Sequence, residues 1–102
     1  MTRAPREPAD VAFEVLAIVR RIPRGKVLAY GDIAELVGTG PRQVGRILST
    51  SGGGVPWQRV VRADGTPALC HDGVALACLR AEGTPLRGTR VDMARARWTR
   101  AH

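Results

Sequence analysis

Cysteine, lysine and aromatic residues are all scarce in this sequence of 102 residues. The 2 cysteines are too few for a disulfide framework. Together with one adjacent histidine they provide fewer ligands than a structural zinc site needs. No apolar run approaches the roughly 20 residues that span a membrane, and residues 1–11 lack the basic and then apolar layout of a secretion signal. We therefore expect free thiols, no metal and a cytoplasmic location.

The rest of the composition is that of an ordinary globular domain. Hydrophobic residues make up 44% of the chain and charged residues 25%, which excludes a disordered chain of low hydrophobicity. This length is enough for one domain with a modest core. We expect residues 10–83 to form that domain, between a flexible N-terminal segment over residues 1–9 and a basic extension over residues 84–102. The extension either folds weakly, with Val91 and Trp98 docked on the domain, or becomes ordered only on a partner.

Positive charge is in excess, and nearly all of it is arginine. The formal net charge is +7, and Lys26 is the one lysine among the 16 basic residues. No acidic residue lies between Glu35 and Asp64. Four arginines fall in that interval: Arg42, Arg46, Arg59 and Arg62. Because arginine forks onto phosphates and stacks on bases, the pattern favours a polyanionic partner, with nucleic acid as the first candidate. A coding bias toward arginine explains the excess equally well without any function.

The first predicted helix begins at Asp10, which is an acceptable N-cap residue. Four apolar residues follow at the spacing of an amphipathic helix: Val11, Val15, Ile18 and Ile22. Pro23 ends this helix, and Lys26–Tyr30 is short and extended in character.

The next segment has the pattern of a helix-turn-helix. One helix covers Asp32–Val37 and ends at Gly38, and after a tight turn Pro41 takes the first position of a helix that runs to about Ser49. Three polar residues near its start are predicted to face outward, where such helices touch DNA: Arg42, Gln43 and Arg46. The alternative is an ordinary pair of packed helices with a solvated basic face.

The second half of the chain contains shorter elements. Val55–Arg62 (VPWQRVVR) is predicted to be a strand after its proline, and Asp64-Gly65 is a turn signal. Thr66–Gly73 is irregular, and Val74–Glu82 is predicted to be a helix that ends at Gly83.

Three stretches occur in series along the chain. They are IPRGKVLAYGDIAELVG (Ile22–Gly38), RQVGRIL (Arg42–Leu48) and VPWQRVV (Val55–Val61). Together they resemble the C-terminal, DNA-binding domain of the O6-alkylguanine-DNA alkyltransferases, and the likeness extends from about Val11 to Gly83. The resemblance implies a small, mostly helical α+β fold with a winged-helix-like helix-turn-helix. It also implies a monomer that binds double-stranded DNA and needs no organic cofactor.

The third motif differs from that of the repair enzymes at the reacting position. In those enzymes the motif reads PCHRV, and its cysteine accepts the alkyl group irreversibly. Trp57 stands at this position here, and an indole ring has no nucleophilic atom. The chain therefore resembles the alkyltransferase-like branch, which carries Trp there, binds O6-alkylguanine lesions and marks them for nucleotide excision repair without repairing them.

A second departure follows at Gln58, where this branch usually keeps a histidine. In the enzymes that histidine acts with a glutamate to deprotonate the cysteine, and Glu82 matches the glutamate. Because Gln cannot act as a general base near neutral pH, we expect no enzyme activity.

The resemblance assigns base flipping to Tyr30 and Arg42. In the family, the Tyr crowds the phosphate of the target nucleotide and the Arg enters the base stack as the nucleotide leaves, a step that is easier for a damaged base. The alternatives are a core aromatic at Tyr30 and a plain phosphate contact at Arg42. The expected lesion pocket comprises Tyr30, Trp57, Gln58, Arg59, His71 and Asp72. The expected DNA contacts are Thr39, Arg42, Gln43, Arg46 and Ser49.

Two other functions fit parts of the same sequence. Cys70-His71 superficially resembles a Cys-His nucleophile pair, which would make the protein a residual alkyltransferase, although its setting is ALCHDG rather than PCHRV. A DNA-binding regulator that uses the helix-turn-helix without damage specificity is the other alternative. Trp57 taken by itself would also suit a core position.

Overall fold

The structure is a computed structural model that describes residues 7–69 and 71–99. The helices are α1 (Pro8–Arg21), α2 (Tyr30–Val37), α3 (Pro41–Ser51), α4 (Ala75–Ala81) and α5 (Met93–Ala96). The strands are β1 (Leu28–Ala29), β2 (Val60–Val61), β3 (Leu86–Arg87) and β4 (Arg90–Val91). Strands β1 and β2 pair in parallel, and β3 and β4 form an antiparallel hairpin. No helix in the described part of the chain is long and apolar enough to cross a bilayer.

Helices α1 and α2 each begin two residues before the predicted start. The sequence pattern places Asp10 and Asp32 at the starts, but each carboxylate instead accepts a hydrogen bond from the backbone N–H three residues upstream, at 3.3 Å in α1 and 2.9 Å in α2. Both aspartates therefore lie in the first turn, where a negative charge interacts favourably with the helix dipole. As a result, α1 starts at Pro8 and α2 at Tyr30.

The predicted helix-turn-helix is confirmed. Helix α2 ends at Gly38, whose φ of 84° is the left-handed conformation that glycine adopts without strain. Gly40 then caps α3, and Pro41 takes its first position, where a proline removes no helical hydrogen bond. Helix α3 buries the three residues predicted to face inward: Val44, Ile47 and Leu48.

The strand predicted over Val55–Arg62 is mostly wrong. Trp57–Arg59 forms one turn of 3-10 helix, and the extended part is limited to Val60–Val61. The N–H of Arg59 donates to the carbonyl of Pro56 at 3.0 Å, so the backbone closes a local turn instead of pairing with a neighbouring strand. The side chains of β2 are fully buried.

Two hydrophobic clusters hold these elements together. The larger cluster packs α1, α2 and α3 against Leu28 and Val60, and it includes Val19, which the predicted stripe of α1 omits. The smaller cluster consists of Val27, Val61, Leu79, Val91 and Ala96. Residues 84–99, predicted as a basic extension, thus form β3, β4 and α5 and supply two members of this second cluster.

Candidate nucleic-acid interface

The two residues predicted to flip a base line one cavity beside the start of α3. Tyr30 is half-buried against the larger cluster, and Arg42 is exposed at the second position of α3. The cavity has a volume of about 660 Å³, which is within the range of small-molecule pockets. A Cβ atom at Gly45 would lie 3.8 Å from Cε1 of Tyr30, so this ring lies close to the backbone of α3.

The opposite wall of this cavity comes from the chain beyond β2. It is formed by Arg62, Ala63, Ala68 and Leu69, and Gly31, Pro41 and Gly45 complete the lining on the side of α2 and α3. The lining is mostly apolar, and Leu69 is 78% exposed at its rim. Such a space suits a planar aromatic group, with arginines available at its edge.

Trp57 and His71 form a stacked pair at a separate position. Their ring centroids are 4.3 Å apart with an interplanar angle of 27°. Nε2 of His71 donates to the carbonyl of Leu48 at 3.2 Å, because a carbonyl oxygen only accepts. His71 has a φ of 57°, a left-handed conformation that is uncommon outside glycine.

The Trp57–His71 pair does not belong to the walls of the Tyr30–Arg42 cavity. Trp57 is half-buried and packs against the larger hydrophobic cluster. This contact agrees with the alternative interpretation of the sequence, in which Trp57 is a core residue. The pocket role of Trp57 therefore stays a prediction. A Cβ atom at Gly52 would lie 3.5 Å from Cβ of Trp57, so the backbone after α3 lies close to the turn that carries Trp57.

Gln58, Arg59 and Glu82 form a half-buried hydrogen-bonded group. Nε2 of Gln58 donates to Glu82 at 2.7 Å, and Arg59 donates to both carboxylate oxygens at 3.0 and 2.9 Å. Arg59 also donates to the carbonyl of Ile22 at 2.8 Å, which ties the turn to the end of α1. Burial alone would raise the pKa of Glu82, but the hydrogen bonds from Arg59 and Gln58 outweigh burial and hold the pKa below its ordinary value.

The predicted DNA contacts lie on or beside α3. Arg42, Arg46 and Ser49 are exposed and follow each other at intervals of four and three residues, so they share one face of the helix. The hydroxyl of Ser49 donates to the carbonyl of Arg46 at 3.1 Å. Gln43 and Thr39 are half-buried.

Two predictions lie outside what the structure describes. Cys70, the alternative nucleophile, is outside the described residues, and so is the side chain of Asp72 from the predicted pocket. The other cysteine, Cys78, has a free thiol in α4. Within residues 7–69 and 71–99, no cluster of His, Cys, Asp and Glu could hold a metal ion.

Arg62 lies in the cavity wall, a position that no motif in the sequence indicates. Strands β1 and β2 pair with Leu28 opposite Val60 and Ala29 opposite Val61. The next residues, Tyr30 and Arg62, therefore leave the two strands at the same end and meet at the cavity. The valines of β2 indicate a strand, but nothing local identifies its partner or its register.

Comparison with known proteins identifies the family. The family described as "6-O-methylguanine DNA methyltransferase, DNA binding domain" matches residues 10–84. A protein of Escherichia coli (strain K12) named "DNA base-flipping protein" is 40% identical over 91 residues, which cover 82% of this chain and 70% of that protein. A Methanothermobacter thermautotrophicus protein named "Methylated-DNA--protein-cysteine methyltransferase" is 37% identical over 78 residues, 72% of this chain and 44% of that protein.

A solved structure supports the same assignment. The chain is similar to S. pombe Atl1 in its crystal structure with damaged DNA containing O6-carboxymethylguanine. The TM-score is 0.80 at 28% identity, over 94% of this chain and 100% of the other. The predicted α+β helix-turn-helix fold and the predicted likeness to alkyltransferase-like proteins are thereby confirmed. This chain belongs to the family defined by the DNA-binding domain of 6-O-methylguanine DNA methyltransferase.

Proposed function

We propose that this protein binds double-stranded DNA that contains O6-alkylguanine and holds the damaged base, turned out of the helix, in the Tyr30–Arg42 cavity. The observation that carries the proposal is that both predicted base-flipping residues border one mostly apolar cavity of about 660 Å³. Apolar walls accept the base and its alkyl group, while a planar guanidinium can stack in the gap that the base leaves. The names of the E. coli and S. pombe relatives support this function.

Helix α3 is the proposed recognition helix. Its exposed face carries Arg42, Arg46 and Ser49, and its first turn borders the cavity. The resemblance implies that this helix enters the minor groove, as other proteins that deform DNA do. Because the minor groove offers little sequence information, contacts there suit a protein that must find lesions in any sequence.

The protein is proposed to act without alkyl transfer. Trp57 stands where the family's enzymes have their cysteine, and Gln58 cannot take up a proton at neutral pH. The carboxylate that would assist a base, Glu82, is instead bound by Gln58 and Arg59. The bound complex would then serve as the signal that brings nucleotide excision repair proteins to cytoplasmic DNA.

Lesion preference is the direct test of this function. Fluorescence anisotropy should give tighter binding to a duplex with one O6-methylguanine than to its unmodified twin. Arg42→Ala should weaken lesion binding by about 1–3 kcal/mol, because the stacking guanidinium is lost. The control is an arginine variant outside the cavity. Arg62 is unsuitable because it lines the same cavity, whereas Arg20 is exposed on α1, so Arg20→Ala is the matched control. Equal affinity for the two duplexes would contradict the proposal and favour a regulator without damage specificity.

Intact-mass spectrometry separates recognition from catalysis. After incubation with the methylated duplex the protein mass should be unchanged. A gain of one CH₂ unit, the result of replacing a thiol hydrogen by methyl, would show alkyl transfer. If this mass gain is absent in Cys70→Ser but present in Cys78→Ser, Cys70 is the acceptor and the non-catalytic function is overturned.

A further inference from the structure

Arg62 borders the cavity from the wall beyond β2, whereas Arg42 borders it from α3. None of the family motifs includes Arg62, and the proposed flipping mechanism does not use it. Its side chain is exposed. Both sides of the cavity mouth therefore carry an arginine.

The position of Arg62 is fixed by a tight turn. Its N–H donates to the carbonyl of Thr66 at 3.0 Å, and its own carbonyl accepts from Gly65 at 2.8 Å. The turn is held from outside by Val91 of β4, whose N–H donates to the carbonyl of Gly65 at 2.8 Å. With φ at 89° and Val91 so close, Gly65 leaves no space for a side chain, so the turn and the β3–β4 hairpin form one unit.

Arg90 extends the positive surface onto that hairpin. It precedes Val91, and with Ala68 and Leu69 it borders a second hollow. Ala68 and Leu69 also line the Tyr30–Arg42 cavity, so the two hollows adjoin each other and Arg90 lies beyond the wall that they share. We call Arg62 and Arg90 the lid flank, because both border residues 66–69, which the family resemblance matches to part of the lid over a flipped base.

Asp64 is the acidic residue that forms an ion pair with the lid flank in the part of the chain that the structure describes. A guanidinium nitrogen of Arg90 lies 3.9 Å from its carboxylate. The pKa of Asp64 is lowered, first by the hydrogen bonds from the hydroxyl and N–H of Thr66 and then by the charges of Arg90 and Arg62. One carboxylate between two arginines leaves the flank with a positive charge.

We propose that the lid flank binds phosphates of the DNA backbone on the side of the cavity away from α3. The inference rests on the proposed function. A duplex whose base enters this cavity lies against the cavity mouth, so its backbone contacts the protein on both sides of the mouth. Duplex DNA carries one charge per roughly 1.7 Å of its axis, so a strand beside the cavity presents phosphates to Arg62 and Arg90. Arg97 differs from Arg90, because it donates hydrogen bonds to both carboxylate oxygens of Asp32, whereas the 3.9 Å between Arg90 and Asp64 is beyond hydrogen-bonding distance.

Salt dependence of binding tests the lid flank. Affinities of the wild type, R62A/R90A and R20A/R21A are measured between low and moderate KCl for the methylated duplex and its unmodified twin. Each lost phosphate contact should reduce the slope of log K against log salt by about 0.9 and the affinity at 0.1 M salt on the order of tenfold. R62A/R90A should therefore weaken binding to both duplexes. Because Arg62 also lines the cavity that holds the base, lesion preference is compared in R90A alone, which should weaken binding to both duplexes and leave the ratio of the two affinities unchanged. R20A/R21A, which removes the same charge from α1, should have a much smaller effect.

Asp64→Asn provides a test of opposite sign. Asparagine retains an oxygen that accepts the hydrogen bonds from Thr66, so the turn should persist while a negative charge disappears. Both duplexes should bind D64N several-fold more tightly than the wild type. Equal losses in R62A/R90A and R20A/R21A, or a loss of lesion preference at an unchanged slope, would overturn the inference. Failure of the proposed function has a different signature, since the wild type would then show no preference for the methylated duplex.

Discussion

Among single residues, Glu82 has a structural role that does not depend on catalysis, because Gln58 and Arg59 bind its carboxylate. The side chain of Glu82 is 8% exposed, and a buried carboxylate without partners is strongly destabilising. Gln58 donates one hydrogen bond to it, and Arg59 donates two. Glu82 follows α4, and its hydrogen-bond donors lie in the turn at Trp57–Arg59. The negative charge of Glu82, which could assist a reaction in an enzyme, therefore fixes the position of Trp57 in this protein.

The lowered pKa of Glu82 leads to a prediction about pH. Since the folded state binds this proton less readily than the unfolded state, the contribution of Glu82 is fully present above its ordinary pKa of about 4.3 and is lost as the pH falls below that value. Urea unfolding should show Glu82→Gln less stable than the wild type by about 1–3 kcal/mol at pH 7. The difference should shrink as the pH approaches 3.

Glu35→Gln is the control for this pH experiment, because Glu35 is exposed on α2. Its unfolding free energy should follow that of the wild type across the range. Parallel curves for Glu82→Gln and the wild type would mean that the Glu82 group contributes nothing that depends on ionisation.

At the scale of secondary structure, sequence reasoning succeeds where a local signal fixes the backbone. Gly38 and Pro41 mark the end of one helix and the start of the next, and both lie where the pattern places them. The prediction over Val55–Arg62 fails because the 3-10 turn in its middle is stabilised by Glu82, which is distant in sequence. The same limit applies to the cavity, since its Arg62 wall depends on the parallel register of β1 and β2.

Gly65 provides a prediction about the turn that links β2 to the hairpin. A Cβ atom there would overlap the carbonyl oxygen of Val91, and the φ of 89° at Gly65 is unfavourable for residues with a side chain. Gly65→Ala should lower the free energy of unfolding by about 2–4 kcal/mol, measured by chemical denaturation. Gly53→Ala is the matched control, because a Cβ atom at Gly53 meets no atom within 4 Å. Similar stabilities for the two variants would show that the approach of β4 to the turn is dispensable.

For the molecule as a whole, the composition of the arginine-rich C-terminal segment does not indicate that the segment packs on the domain. Residues 84–102 read as a basic extension because their charge dominates their composition, yet Val91 and Ala96 are buried at intervals between the arginines. The backbone of Val27 bonds to this segment in both directions, donating to Ala96 at 3.0 Å and accepting from Trp98 at 2.8 Å. Short elements with one buried residue each do not produce a periodicity that sequence analysis detects.

Removing residues 84–102 tests whether residues 10–83 fold as a unit. The deletion would expose Val27, Val61 and Leu79, each fully buried in the smaller cluster, and each such side chain contributes about 1.5–3 kcal/mol. The sum is comparable to the 5–15 kcal/mol that stabilises a typical domain. The shortened chain should therefore lose its cooperative thermal transition by circular dichroism and bind the dye ANS. The control is R87A/R95A, which removes two exposed charges from the same segment and should leave the transition in place. A cooperative transition near the wild-type midpoint would instead show that the segment is an extension that the fold can lose.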